Sequence, residues 1–283
     1  MKMSNMKLMY ITNRPEIAQI AETSGVNRIF VDMEYIGKDA RQKGMDTVQS
    51  HHSVEDVRAI KKVITKAELL VRCNPVHDAS QWYNSTEEEI DEVVSAGADI
   101  IMLPYFKTAT EVERFIKAVN GRVKTMLLFE TPDAYRNSDE ILKIKGIDEV
   151  YIGLNDMSLG FGMQFMFQLL ADGTVDKLCK KFVEYGYPFG FGGIARPGGN
   201  VPLPAERIIK EHYRLGSTCV ILSRSFCNAE KVAFDELEEK FKDGVNAIHT
   251  VEDEAQRLCK EDFNALQENK KEIAVIVKML LNK

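Results

Sequence analysis

Residues 124–134 read KTMLLFETPDA, and residues 149–162 read EVYIGLNDMSLGFG. Each stretch begins with an apolar run of strand length and then reaches a carboxylate, Glu130 in the first and Asp156 in the second. Side chains alternate between the two faces of a strand. The residues predicted to share a face with each acid are Met126 and Leu128 for Glu130, and Ile152 and Leu154 for Asp156. If the two strands are neighbours in a parallel barrel, both carboxylates lie at its mouth, where such barrels carry their chemistry.

Eight apolar segments of this kind alternate with eight amphipathic segments along the chain. The predicted strands are 7–13, 28–34, 67–74, 99–106, 124–131, 149–156, 188–195 and 219–226. The predicted helices are 15–24, 54–65, 86–95, 110–119, 132–143, 175–185, 204–215 and 229–242. Strands that are apolar on both faces and are each followed by a helix predict an α/β fold of the TIM (β/α)8 barrel type. An open doubly wound sheet is the weaker alternative, because no G-x-G-x-x-G turn follows the first strand.

A boundary between two parts of the chain is predicted where the eighth strand–helix unit ends. Residues 1–245 are predicted to form the barrel, and 246–283 a C-terminal extension with extra helices. In 250–283 the apolar residues recur near helical spacing. This extension is expected to pack on its own barrel or on another subunit of a homo-oligomer.

Composition describes an ordinary globular chain of 283 residues, 45% apolar and 28% charged. The net charge of −6, with basic residues spread through the chain, makes nucleic acid an unlikely partner. No apolar run is long enough for a membrane span, and the first residues lack the apolar core of a signal peptide. The five scattered cysteines indicate reduced thiols. We therefore expect a cytoplasmic protein with a small-molecule substrate.

Charged residues collect where other predicted strands end. Asp32 and Glu34 end the second strand, and Arg72 lies at the end of the third. Charge is costly to bury unless it is paired or bound to a metal. Glu130 and Asp156 offer hard oxygen ligands, which favours Mg²⁺ or Mn²⁺ as the cofactor. Arg72 is predicted either to neutralise these second-strand acids or to bind an anion.

One connection is about three times the usual strand-to-helix length. It spans residues 35–52, YIGKDARQKGMDTVQSHH, and ends in His51 and His52. Long loops at a barrel mouth are often functional, although histidines in a polar loop are more often simply solvated.

Six segments resemble, in order and spacing, the HpcH/HpaI aldolase and citrate lyase family. They are FVDMEY (30–35), VRCNP (71–75), AGADIIMLPYF (96–106), LLFETPDA (127–134), VYIGLNDMSLGFG (150–162) and FGFGGIA (189–195). The resemblance covers about residues 26–226, and its most specific parts are E-T-P-x-A and G-x-N-D-x-S-x-x-x-G.

The resemblance implies a TIM barrel that binds a divalent metal through Glu130 and Asp156. It implies that Arg72 lies at the keto oxygen of a pyruvate-like unit, whose carboxylate meets backbone N–H groups around Gly153, Asn155 and Asp156. The implied activity is that of a class II aldolase, a carbon–carbon lyase that cleaves or forms a 2-oxo-4-hydroxy acid through a pyruvate enolate. No lysine ends the sixth strand, which disfavours a Schiff base.

The chain departs from the family pattern at the position of the base. Glu34 is followed by Tyr35, where the aldolase branch has a His and the citrate-lyase-like branch an Asp; a tyrosine is a poor base at neutral pH. Glu34 and Arg72 are predicted catalytic residues, and deprotonation is assigned to metal-bound water or to His51 or His52. The alternatives are a citrate-lyase-type acyl-CoA lyase and a non-catalytic barrel that binds oxo acids.

Overall fold

Residues 4–37 and 52–282 are described by the structure, a computed structural model. Eight parallel strands form a closed barrel in which each strand pairs with the next and the eighth pairs with the first. The strands are β1 (Lys7–Ile11), β2 (Arg28–Asp32), β3 (Glu68–Arg72), β4 (Ile100–Leu103), β5 (Lys124–Phe129), β6 (Glu149–Ile152), β7 (Phe189–Ile194) and β8 (Cys219–Leu222). The predicted TIM barrel is confirmed.

Helices surround the barrel and continue beyond its eighth strand. They are α1 (Pro15–Thr23), α2 (Val54–Lys61), α3 (Thr86–Ser95), α4 (Ala109–Val119), α5 (Pro132–Arg136), α6 (Ser138–Ile141), α7 (Leu154–Gly160), α8 (Gln168–Ala171), α9 (Thr174–Tyr185), α10 (Ala205–Leu215), α11 (Phe234–Glu261) and α12 (Phe263–Leu281). The predicted helix 132–143 is divided into α5 and α6. No helix in the described residues has the length and apolar character that crossing a bilayer requires.

Helix α11 is longer than the sequence pattern predicted, and it runs through the boundary placed between residues 245 and 246. Gly244 lies inside it rather than at its end. A Cβ on this glycine would lie 2.7 Å from the ring of Phe226, so glycine here permits close packing of the helix on the barrel. Helix α12 then packs against α8, α10 and α11 of the same chain. The homo-oligomer stays a prediction.

The barrel interior is filled by side chains from alternate strand positions. They are Met9, Phe30, Leu70, Ile100, Met102, Met126, Leu128, Tyr151 and Cys219. The face predicted for β5 is therefore correct, but the face predicted for β6 is wrong. Tyr151 points inward, whereas Ile152 belongs to the outer core between strands and helices. Glu149 shares the inward face with Tyr151 and bonds to Arg28, whereas the prediction counted the alternation back from Asp156, which lies beyond the end of the strand.

An ion pair closes the end of the barrel opposite its mouth. The guanidinium of Arg28 is fully buried and donates two hydrogen bonds to Glu149, of 2.7 and 2.6 Å. Its Nε donates to Glu68 at 2.8 Å, and Lys124 donates to the other oxygen of Glu68 at 2.7 Å. Burying such a pair costs desolvation, but removal of one partner leaves a buried charge uncompensated.

We expect Arg28→Met to lower the free energy of unfolding by about 3–5 kcal/mol, because Glu149 would keep its charge in the barrel interior. The matched control is Arg136→Met, which removes an exposed pair with Asp133 and should change stability by no more than about 0.5 kcal/mol. Urea unfolding of both variants is the measurement. Equal losses would show that the internal pair does not stabilise the barrel.

Candidate active site

Glu130 lies directly after β5 and is almost fully buried. Its Oε1 accepts the backbone N–H of Tyr105 at 3.0 Å, and Tyr105 holds a left-handed φ of 51°. The next residue, Thr131, caps α5 by accepting the N–H of Ala134 at 3.0 Å, and its hydroxyl donates to the carbonyl of Phe106 at 2.8 Å. The Tyr105 N–H thus holds one oxygen of the Glu130 carboxylate, and the bonds of Thr131 fix the backbone that follows.

Asp156 reaches the site by a route that differs from the predicted one. The strand predicted to run to residue 156 ends at Ile152, and the chain turns at Gly153 into α7. Asp156 therefore lies in the first turn of a helix, where a carboxylate interacts favourably with the helix N-terminus. One of its oxygens also accepts a hydrogen bond of 3.1 Å from the side chain of Asn155.

Gly153 brings the start of α7 against Glu130. A Cβ at this position would lie 2.7 Å from Oε2 of Glu130 and 2.8 Å from its Cβ. Since no side chain fits there, glycine is required for this close approach. The turn places Asp156 in the wall of the same cavity as Glu130.

Arg72, the last residue of β3, is held by the acid that ends β2. Its Nε and Nη2 donate to the two oxygens of Asp32 at 2.8 and 2.7 Å, a bidentate pair. Glu34 lies 3.4 Å from Nη1, and the guanidinium is 5.7 Å from the centre of the Phe30 ring. Burial opposes its charge, but the carboxylates of Asp32 and Glu34 outweigh burial and raise the pKa of Arg72 well above its usual value.

Glu34 is fully buried and is not among the residues that line the cavity. It contacts Arg72, and its catalytic role stays a prediction. The chain after it is fixed by Asn74, whose side-chain oxygen accepts the N–H groups of Tyr35 and Ile36 at 3.0 Å each. Tyr35 is not among the residues that line the cavity, and partial burial together with the charge of Glu89 raises its pKa.

His52 lines the cavity and is joined to the Arg72 pair through the backbone. Its Nδ1 accepts the N–H of Asp32 at 3.0 Å. A neutral ring bonded in this way carries its proton on Nε2, so that it presents a donor. Use of Nδ1 as a base would require that bond to break. His51 lies outside the described residues.

The cavity at the mouth has a volume of about 670 Å³. It is lined by Arg72, Glu130, Asp156 and His52, together with Gly153 and Asn155. These side chains come from the carboxyl ends of strands or from the connections that follow them, the end at which TIM barrels carry active sites.

Comparison with known protein families assigns the chain to a family. The sequence profile of the family described as HpcH/HpaI aldolase/citrate lyase matches residues 7–166, more than half of the chain. The chain belongs to the HpcH/HpaI aldolase/citrate lyase family. Members of this family are aldolases or lyases and generally depend on a divalent metal.

Solved structures with the same fold include an HpcH/HpaI aldolase from Desulfitobacterium hafniense, with a TM-score of 0.57, 15% identity, and coverage of 86% of this chain and 93% of that one. An HpcH/HpaI aldolase/citrate lyase family protein from Burkholderia cenocepacia has a TM-score of 0.56 and 13% identity over 77% of this chain and 88% of its own. The citrate synthase SbnG has a TM-score of 0.57 and 16% identity, with coverage of 77% of this chain and 86% of that one. A search of curated proteins found no match.

The described residues of this HpcH/HpaI family member contain no group of three or more His, Cys, Asp or Glu side chains placed to hold a metal ion. The predicted donors, Glu130 and Asp156, both line the cavity. Mg²⁺ is commonly held by one or two carboxylates, with waters and substrate oxygens completing its coordination. Two hard oxygen donors in one wall of a cavity fit that mode of binding.

One contribution to the site was missed by sequence reasoning. Pairing of Arg72 with the acids of the second strand was one of the two predicted alternatives, and the structure contains it, because the register of β2 and β3 places Asp32 beside Arg72. The Tyr105 N–H that holds Glu130 has no sequence signal, because a left-handed φ is usually marked by glycine or asparagine. Only the three-dimensional structure identifies that donor.

We expect Asp32→Asn to lower the free energy of unfolding by about 2 kcal/mol, since the half-buried Arg72 loses the charge of its bidentate partner and retains Glu34. Asp243→Asn, which weakens an exposed contact of 3.8 Å with Arg196, should change stability by no more than about 0.5 kcal/mol. Thermal and urea unfolding measure both. A stable Asp32→Asn protein would mean that the pair is not needed to hold Arg72.

Proposed function

We propose that this protein is a divalent-metal-dependent carbon–carbon lyase that cleaves or forms a 2-oxo-4-hydroxy acid through a pyruvate enolate. The observation that carries the proposal is the convergence of Arg72, Glu130 and Asp156 on one cavity. A cation and two hard oxygen donors are the groups that a 2-oxo acid requires for binding and for stabilising an enolate.

Arg72 is proposed to donate to the keto oxygen, where negative charge develops as the enolate forms. Its bond to Asp32 fixes the plane of the guanidinium before substrate binds, so little reorganisation is needed. The substrate carboxylate is proposed to lie at Gly153, Asn155 and Asp156. The first turn of α7 has no side-chain cap, which leaves its backbone N–H groups to other acceptors.

Glu130 and Asp156 would hold Mg²⁺ or Mn²⁺. When bound, the metal supplies Lewis-acid polarisation of the oxo acid. The chain contributes the placement of the two carboxylates: the Tyr105 N–H orients Glu130, and Gly153 allows the first turn of α7 to approach it.

Schiff-base chemistry is disfavoured, because no lysine is present among the described residues that line the cavity. The role of general base stays a prediction for metal-bound water, His51 or His52.

The proposal is tested by release of pyruvate from a 2-oxo-4-hydroxy acid, with and without a chelator. We expect added Mg²⁺ or Mn²⁺ to restore activity after chelation. Glu130→Gln should lower kcat/KM by roughly 100-fold or more, since it removes a metal ligand that the fold holds in place. Glu113→Gln, on the exposed face of α4, is the matched control and should retain activity. Activity that resists the chelator, or that survives in Glu130→Gln, would contradict the metal site.

Gly153→Ala tests the packing that builds the site. The new methyl group would displace Glu130, and we expect Mn²⁺ affinity to fall by at least about 10-fold. Gly146→Ala introduces a comparable clash, 2.8 Å from Ile116, in the connection before β6 at the opposite end of the barrel, and should leave Mn²⁺ affinity unchanged. Titration calorimetry with Mn²⁺ compares the two variants. Equal Mn²⁺ affinities of the two variants would contradict the role of Glu130 as a metal ligand.

A further inference from the structure

The cavity is larger than a three-carbon oxo acid needs. Its volume of about 670 Å³ falls in the range of sites that enclose much larger ligands. The groups proposed for the pyruvate unit occupy the sides formed by β2, β3, β5 and the first turn of α7. The remaining walls therefore contact the other half of the substrate.

One of these walls is an apolar compartment that begins beside Asp156. We define the compartment by Leu154, Phe165, Met166, Val201, Leu203 and Ile208. Every cavity-lining residue between positions 157 and 208 is apolar or glycine. By contrast, the side formed by the ends of β8 and β1 includes polar and charged residues, among them Asn13, Arg14, Ser223, Arg224 and Glu230.

The compartment is continuous with the proposed pyruvate site. Leu154 is the first residue of α7, two positions before Asp156, and it is buried. It packs on Gly192 of β7, where a Cβ would lie 2.7 Å from its Cδ1. A carbonyl group placed next to the enolate would thus have its substituent directed along an apolar wall.

The aromatic part of the wall is held in place by its own loop. The side-chain oxygen of Gln168 accepts the N–H groups of Gln164 and Phe165 at 3.0 and 2.9 Å. The ring of Phe165 meets that of Phe167 edge to face, with centroids 5.2 Å apart. A wall fixed in this way needs little ordering when a ligand binds.

We propose that the acceptor half of the substrate is an apolar aldehyde, with an aliphatic or aromatic substituent bound in the apolar compartment. This inference rests on the proposed lyase function. In the forming direction, C3 of the enolate bonds to the aldehyde carbon, and the carbonyl π electrons move to its oxygen, which takes a proton. In cleavage the hydroxyl proton is lost, the C3–C4 bond breaks, and C3 is protonated.

The compartment would select among aldehydes by the cost of removing water from their substituents. A charged or hydroxylated substituent would lose water on entering it and find no charged side chain in that wall. An added methylene gains from burial, roughly 4-fold in kcat/KM for each group that the wall contacts.

The test measures enolate formation from pyruvate and reaction with the aldehyde separately. With Mn²⁺ and pyruvate in D₂O, NMR measures exchange of the methyl protons, which requires enolate formation and no aldehyde. The acceptor is then varied through propanal, butanal and pentanal, with glycolaldehyde and succinic semialdehyde as polar and anionic comparisons. We expect methyl-proton exchange, and we expect each added methylene to raise the specificity constant for the aldehyde by roughly 2- to 4-fold. Pentanal should be preferred over glycolaldehyde by at least about 10-fold.

Variants test the wall directly. Met166→Gln should lower kcat/KM for pentanal by about 10-fold, and Val201→Thr by a few-fold, while both retain pyruvate exchange. Val183→Thr, on the exposed face of α9, should change neither quantity.

Absence of exchange in the unaltered protein would overturn the enolate chemistry, and the inference with it. Exchange accompanied by a preference for glycolaldehyde or succinic semialdehyde would overturn the apolar acceptor alone. Retained exchange in a variant also shows that the variant is folded, so an unchanged pentanal rate in both Met166→Gln and Val201→Thr would contradict the compartment.

Discussion

The bidentate pair between Arg72 and Asp32 is the constraint on which one side of the site depends. It joins the ends of β2 and β3 at residues that the barrel register places side by side. Asp32 acts twice, because its backbone N–H binds His52 while its carboxylate binds Arg72. Glu34 adds a second negative charge behind the guanidinium. The guanidinium of Arg72 is therefore held in one orientation, and it keeps that orientation when a ligand binds.

The other side of the site depends on the lack of a side chain at Gly153. A helix that starts immediately after a strand brings its first turn close to the neighbouring strand end, which here is Glu130. The carboxylates thus reach the cavity from two kinds of backbone, an extended strand end and a helical turn. Their separation is set by the closeness of β5 and β6, so changes in either strand would be transmitted to both acids.

The sequence predicts the barrel well because alternation of apolar strands and amphipathic helices is a property of the whole chain. It predicts strand ends poorly, and every strand except β7 was extended by two to four residues past its carboxyl end. Glu130 and Asp156 are among those residues, whereas Asp32 and Arg72 are the last residues of their strands. Ile152 shows the related limit, since its face was predicted by counting back from Asp156, although the strand ends at Ile152 and Asp156 lies in a helix.

Asp156 lines the cavity for a structural reason that differs from the predicted one. The error in the orientation of β6 and the error in its length compensated, because a helical turn after Gly153 restores the carboxylate to the cavity. The resemblance at E-T-P-x-A and G-x-N-D was therefore more informative than the period-2 pattern. Local motifs preserve the geometry of a turn, whereas alternation assumes that the strand continues.

The two halves of the proposed substrate would contact different parts of the chain. One part carries recognisable sequence motifs, and the other does not. The pyruvate half meets strand ends and the first turn of α7, where motif and geometry coincide. The acceptor half meets the loops around Phe165 and Val201, whose shape depends on contacts such as the Gln168 side chain. A shared enolate site can thus be retained while the acceptor changes, because the groups that stabilise the enolate do not hold those loops.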